Sequence, residues 1–252
     1  MEKRKQLNIL QVKDRNHEDD KRFRDIDYRL PKPPFLGIIN GSVRTGKSTL
    51  LMNLLYNDSF FKDVFDQVVF ISPTCLNDNT LTHLRDVDDV VKICDKLHDI
   101  DLILKSLVEI QKKTINGKNN HMLVVLDDML GYIKPRSYLA FLCTRYRHFK
   151  ISLIISSQSF RSIPNVVRTN ASFYIIFSTT NNKELEKLNE EFNGLFPNFK
   201  QLLKQATEQP YHLLFLDLKK VRAFMNFDKL LYEKIPELLK HITESDKALK
   251  SS

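Results

Sequence analysis

The residues best suited to chemistry begin with Gly41-Ser42-Val43-Arg44-Thr45-Gly46-Lys47-Ser48, which fits G-x-x-x-x-G-K-[ST] at every fixed position. Glycines let such a loop turn back on itself, so that successive backbone N–H groups, through Thr49, point at one anion. A helix starting at Lys47 adds its unpaired N–H groups and the positive end of its dipole. Lys47 is expected to reach the β- and γ-phosphates of a nucleoside triphosphate, and the Ser48 hydroxyl to ligate Mg²⁺. A second stretch, Leu123-Val124-Val125-Leu126-Asp127-Asp128, is four apolar residues followed by two acids. Asp127 is expected to hold the Mg²⁺ hydration shell, and Asp128 to sit where a general base polarises the attacking water. A third, ending in Ser156-Ser157-Gln158, places an amide at a strand tip. There it can donate to a γ-phosphate and accept from water, or simply bond a neighbouring loop. Arg145, Arg147 and Arg168 are candidates for an arginine finger, with Arg147 the first choice because it directly precedes the Gln158 strand. Lys134 and Arg136, after the paired acids, are either DNA-phosphate contacts or a solvated loop. The histidines show no metal-ligand spacing, and no cysteine stands beside a base.

These residues need strands and helices to hold them. Phe35–Ile39 is a short apolar run before the loop, and Thr49–Leu55 has apolar residues at helical spacing, giving strand, loop and helix in order. Further strands are expected at 66–72, 121–126, 151–157 and 173–177. Helices are expected at about 135–147, 163–169 and 182–206, with two amphipathic helices within 79–116. Asn116–Asn120 reads as a turn cluster. Tyr211–Leu216 and Val221–Phe224 read as a closing antiparallel hairpin. Alternating strands and helices predict an α/β fold with a mainly parallel sheet, flanked by helices and with antiparallel strands at one edge. In such sheets ligands lie at the carboxyl ends of the strands, where the loop, the paired acids and Gln158 all fall.

Three segments follow from composition. Residues 1–33 form a charge-dense arm, read as a solvated lead-in with one short helix or as a docking arm for a neighbouring subunit or DNA. The Pro-rich Leu30–Pro34 stretch closes it. Residues 34–235 form the catalytic domain, and 236–252 a polar, Lys-rich tail. The 252 residues carry 42% hydrophobic and 28% charged side chains, a globular balance. The net charge of +8 favours a polyanionic partner. Cys75, Cys94 and Cys143 lie far apart and read as buried thiols of a reducing compartment. No apolar run approaches a membrane span, so a soluble protein is expected.

The set of motifs resembles the FtsK–HerA superfamily of DNA-pumping P-loop ATPases. It is most similar to the genome-packaging branch found in poxviruses, other large DNA viruses and virophages. The resemblance covers roughly residues 34–220. It rests on Gly41–Ser48, the Ile71-Ser72-Pro73-Thr74 strand end, Leu123–Asp128, and the run from Arg147 to Gln158. It implies a RecA-like fold, a homo-oligomeric ring, taken as a hexamer, and ATP-driven translocation of double-stranded DNA into a preformed capsid. A capsid, portal or vertex protein would be a partner, and the host cytoplasm (the virus factory) or the virion the location. In Asp128 the chain departs from relatives that carry Glu there, and it lacks the nuclease domain of terminase-type motors. Two other readings remain: a nucleotide-gated assembly scaffold with little turnover, and a small nucleoside or nucleotide kinase.

Overall fold

The computed structural model of the protein describes residues 20–74, 90–93, 97–115, 120–133 and 137–234. Among the described residues nine strands form one sheet: β1 (Leu36–Asn40), β2 (Gln67–Ile71), β3 (Val90–Ile93), β4 (Met122–Asp127), β5 (Ile151–Ser157), β6 (Phe173–Phe177), β7 (Leu213–Asp217), β8 (Arg222–Met225) and β9 (Lys229–Glu233). Their spatial order is β3-β2-β4-β5-β1-β6-β7-β8-β9. The first six in that order run parallel, and β7, β8 and β9 add successive antiparallel pairings. The α-helices are α1 (Lys47–Tyr56), α2 (Ile100–Ile115), α3 (Tyr138–Arg145), α4 (Asn165–Thr169), α5 (Asn182–Phe192) and α6 (Phe199–Ala206).

The central strands are apolar along most of their length because both faces are covered. β1, β4, β5 and β6 are buried at every position. Alternate residues feed two separate cores. Leu36, Val124, Leu153 and Ile176 pack with α2 to α6 on one face. Ile39, Val125, Ile154 and Phe177 pack with Leu50, Leu51 and Leu54 of α1 on the other. That second core also takes Phe23, Ile26 and Leu30, so residues 20–33 pack on the same body as α1, ahead of the expected boundary at 34. Asp20 caps a short 3-10 turn over Lys21–Phe23, and the Phe23 ring meets His121 edge-on at 4.7 Å. The mixed charges that made this stretch look solvated are paired across it, Arg22 bridging Asp20 and Asp66.

Of the stretch 79–116, where two helices are expected, the described residues hold the strand β3 and the long helix α2; the remainder lies outside the described residues. Val90-Val91-Lys92-Ile93 pairs in parallel with β2, so a tertiary ladder overrides a weak helical pattern. The hairpin of β7 and β8 is not the sheet edge, because β9 pairs with β8 beyond it. Residues 1–19, most of the Asn116–Asn120 cluster, Lys134, Arg136, Cys75, Cys94 and the 236–252 tail lie outside the described residues. Cys143 is a buried free thiol as expected, and burial pushes it up to about 12. No described helix is long and apolar enough to cross a membrane.

Candidate functional site

The strand order places the chemistry. β5 lies between β1 and β4, so the strand tipped by Gln158 separates the phosphate loop from the paired acids. In register, Asn40 stands beside Ser157, and Asp127 beside Ser156. The loop after β1, Asp127-Asp128 after β4 and Gln158 after β5 therefore emerge at one edge of the sheet.

The loop is held in place by backbone contacts. Gly41 N–H donates to the Ser157 carbonyl at 3.1 Å, and the Asn40 amide donates to the same oxygen at 3.4 Å. The Thr45 hydroxyl donates to the Ser42 carbonyl at 2.8 Å. Gly46 begins α1 at φ +103°, a backbone state that L side chains rarely adopt. Gly41 is needed for space, since a Cβ there would fall 2.6 Å from Thr45 Oγ1 and 2.9 Å from Phe177. Lys47 is buried, and its ammonium donates to the carbonyls of Gly41 at 2.8 Å and Ser42 at 3.0 Å. Burial lowers the Lys47 pKa from its ordinary value, against the charges of Asp128 and Asp127, which raise it. The lysine is thus curled over the loop and faces both acids.

Asp127 is buried, and its carboxylate accepts from the Ser72 hydroxyl at 3.2 Å. Ser72 directly follows β2 and also bonds Thr74 at 3.1 Å. Burial pushes the Asp127 pKa up. The Asp128 charge adds to this, while the Ser156 and Ser72 hydroxyls and Lys47 oppose it. Asp128 is half-buried and sits at φ +52°, a left-handed state that Asp tolerates better than most residues. Its N–H donates to the Ser156 carbonyl at 3.2 Å. The Gln158 amide donates to the Asp128 carboxylate at 2.8 Å, so the strand-tip amide is tied to the second acid. Glu184, which the motifs did not flag, fixes the next turn. Its carboxylate accepts from the Ser159 hydroxyl at 2.7 Å and from Phe160 N–H at 2.9 Å. Asn181 caps α5 and so places Glu184 in the helix's first turn. The sequence signal for Ser72 was the Ile71-Ser72-Pro73-Thr74 strand end, one of the stretches that carry the family resemblance. Glu184 had none, because its partners lie 24 and 25 residues away.

The arginines do not converge on this edge. Arg147 precedes β5, at the strand's opposite end, about 20 Å away at ~3.3 Å per residue. Its Nε donates to the Tyr146 hydroxyl at 3.1 Å, and among the described residues no carboxylate pairs with it. Arg145 is exposed and stacks over Phe141 at 4.4 Å. Arg168 bridges Glu191 and lies 5.2 Å over the Phe160 ring, joining α4 to α5.

A phosphate loop on β1, paired acids on β4 and a single strand between them on a largely parallel sheet define a RecA-like P-loop NTPase. The genome packaging NTPase B204 from Sulfolobus turreted icosahedral virus 2, solved in complex with ATP-gammaS, has a similar fold. It is 16% identical, with a TM-score of 0.59 over 77% of this chain and 98% of that one. ATPases 2 and 3 of Thermomonospora curvata EccC match with a TM-score of 0.52 at 13% identity, over 74% of this chain and 35% of that one. The uncharacterized protein 075L of Invertebrate iridescent virus 6 is 26% identical over 208 residues, 80% of this chain and 77% of that protein. The chain belongs to the Poxvirus A32 protein family, which it matches over residues 21–207.

Proposed function

We propose that the protein is an ATP-driven translocase that moves double-stranded DNA into a preformed viral capsid. The observation that carries this reading is the convergence of Lys47, Asp127, Asp128 and Gln158 at one sheet edge, with the 2.8 Å Gln158–Asp128 bond joining two of them. Family membership and the B204-like fold support the packaging role, and the charge of +8 suits a polyanionic cargo.

In this mechanism the backbone N–H groups of Gly41 to Thr49 cradle the phosphates of ATP. Lys47 leaves the Gly41 and Ser42 carbonyls for the β- and γ-phosphate oxygens, stronger acceptors for an ammonium. Ser48 and Asp127 would hold Mg²⁺. The donor set fits, because Asp127 is a desolvated carboxylate beside a second acid, which a hard cation relieves. Bound there, Mg²⁺ would neutralise charge developing on the transferred phosphoryl group. Asp128 orients the attacking water and takes its proton. Gln158, bonded to Asp128, senses whether the γ-phosphate is present. Glu184 carries that change through Ser159 and Phe160 to α5.

Arg147 lies too far from its own site to act there. As a finger it serves the neighbouring subunit's nucleotide, which requires a ring, proposed as a hexamer. The capsid or its portal or vertex would be the docking partner, and the virus factory in the host cytoplasm or the virion the place of action.

The test is ATP hydrolysis with and without long double-stranded DNA, in the parent and in Lys47→Ala. The expected result is a DNA-stimulated rate that the variant loses. Tight nucleotide binding with no turnover in the parent, with or without DNA, would replace the motor by a nucleotide-gated scaffold.

A further inference from the structure

A cleft of ≈ 620 Å³ lies alongside α1, next to the phosphate loop. Its floor and walls include Gly46, Leu50, Phe60, Phe177, Tyr211 and Leu213. Tyr211 is unusual there. It is 72% exposed, an uncommon setting for a large ring, and its backbone sits at φ +66°, a costly state for a bulky residue. Neighbouring bonds keep it so. The Asn226 carboxamide accepts from Leu213 N–H at 3.0 Å, and Asn226 N–H donates to the Leu213 carbonyl at 3.1 Å. This pins the start of β7 two residues beyond Tyr211. The ring rests on the loop itself, because a Cβ on Gly46 would lie 3.4 Å from Tyr211 Cδ1 and 3.7 Å from Phe177 Cε1.

We propose that this cleft is the base subsite of the nucleotide, where a purine stacks on the Tyr211 ring, with Phe177 and Phe60 supplying apolar wall. The inference rests on the nucleotide-site reading above and adds where the base goes and how it is read. An exposed aromatic held rigidly beside a phosphate cradle is a stacking platform, and stacking accepts any purine face. Asn53, a polar side chain on this wall, is committed to the helix. The Asn53 amide donates to the Thr49 carbonyl at 2.9 Å, and its oxygen accepts from Asn57 at 3.3 Å. The cleft therefore holds the base by its faces more than by its edges, and adenine and guanine nucleotides bind similarly.

Calorimetric titration of the full-length protein with ATP, GTP and inorganic tripolyphosphate, each with Mg²⁺, tests this. The parent and the Tyr211→Ala and Tyr211→Phe variants are compared, with circular dichroism to confirm folding. ATP and GTP should bind the parent within about fivefold of each other. Tyr211→Ala should weaken both roughly tenfold or more, leave tripolyphosphate unchanged, and be rescued by Tyr211→Phe. Equal weakening of ATP and tripolyphosphate would overturn the proposal, since Tyr211 would then only brace Gly46. Unchanged ATP binding would also overturn it, placing the base elsewhere. If the parent bound neither ATP nor tripolyphosphate, the nucleotide-site reading itself would fall.

Discussion

Asp128→Asn separates the roles of the two adjacent acids. The substitution keeps size and shape. At φ +52°, asparagine is at least as well accommodated as aspartate, so the backbone is not strained. The new carboxamide oxygen can still accept from Gln158, preserving the 2.8 Å tie. What disappears is one negative charge and one proton acceptor. A positioned base contributes roughly 10²- to 10⁴-fold to a hydrolytic rate, or about 3–5 kcal/mol of barrier at ~1.4 kcal/mol per decade. A steady-state phosphate-release assay at saturating ATP and DNA should therefore show kcat lower by about that factor. ATP affinity should change little, because the phosphates are held by the loop and Lys47. Removing the Asp128 charge also removes part of the negative potential beside Asp127 that a divalent cation relieves, so the assay is run at saturating Mg²⁺ to isolate the loss of the base. A kcat within about threefold of the parent would refute the assignment, and Asp128 would then serve only to anchor Gln158.

Beginning the chain at residue 34 should abolish folding, because Phe23, Ile26 and Leu30 are buried in the α1-side core. At about 1.5–3 kcal/mol per side chain the loss is about 5–9 kcal/mol, comparable to a whole domain's stability; a soluble fragment with a cooperative melt would contradict it. Stability should also fall with acid through His121, whose pKa burial and then Lys150 lower from 6.5 to about 4. Because the folded pKa lies below the unfolded one, the folded state binds fewer protons. The contribution is complete above about pH 6.5 and is lost as pH falls toward 4. From pH 7 to pH 5 the loss is about 2 kcal/mol. Urea midpoints at the two pH values should show it, and His121→Leu should lack that component; an identical pH dependence in the variant would rule His121 out.

The sequence by itself determined the candidate site residues and the local structure around them. Gly41 to Ser48 could only be a tight loop before a helix, and α1 begins at Lys47 as the motif requires. The largely apolar runs at 122–126, 151–155 and 173–177 reported strands buried on both faces, and the polar residues after them marked the edge where the candidate site lies. These features are local, governed by backbone stereochemistry and hydrophobic period, so residue order suffices to read them. Strand order is different. That β5 lies between β1 and β4, which sets Gln158 against Asp128, follows from pairings between residues some 30 to 120 positions apart. The same holds for β3, a four-residue edge strand whose ladder with β2 outweighs its own weak pattern. Residues 20–33 looked solvated because their charges are visible in sequence, while the partners that neutralise them, such as Asp66 and Asp228, are not. Tyr211 reads in sequence as one more strand residue. Only the packed β8–β9 turn, where Asn226 bonds back to Leu213, turns that ring toward Gly46.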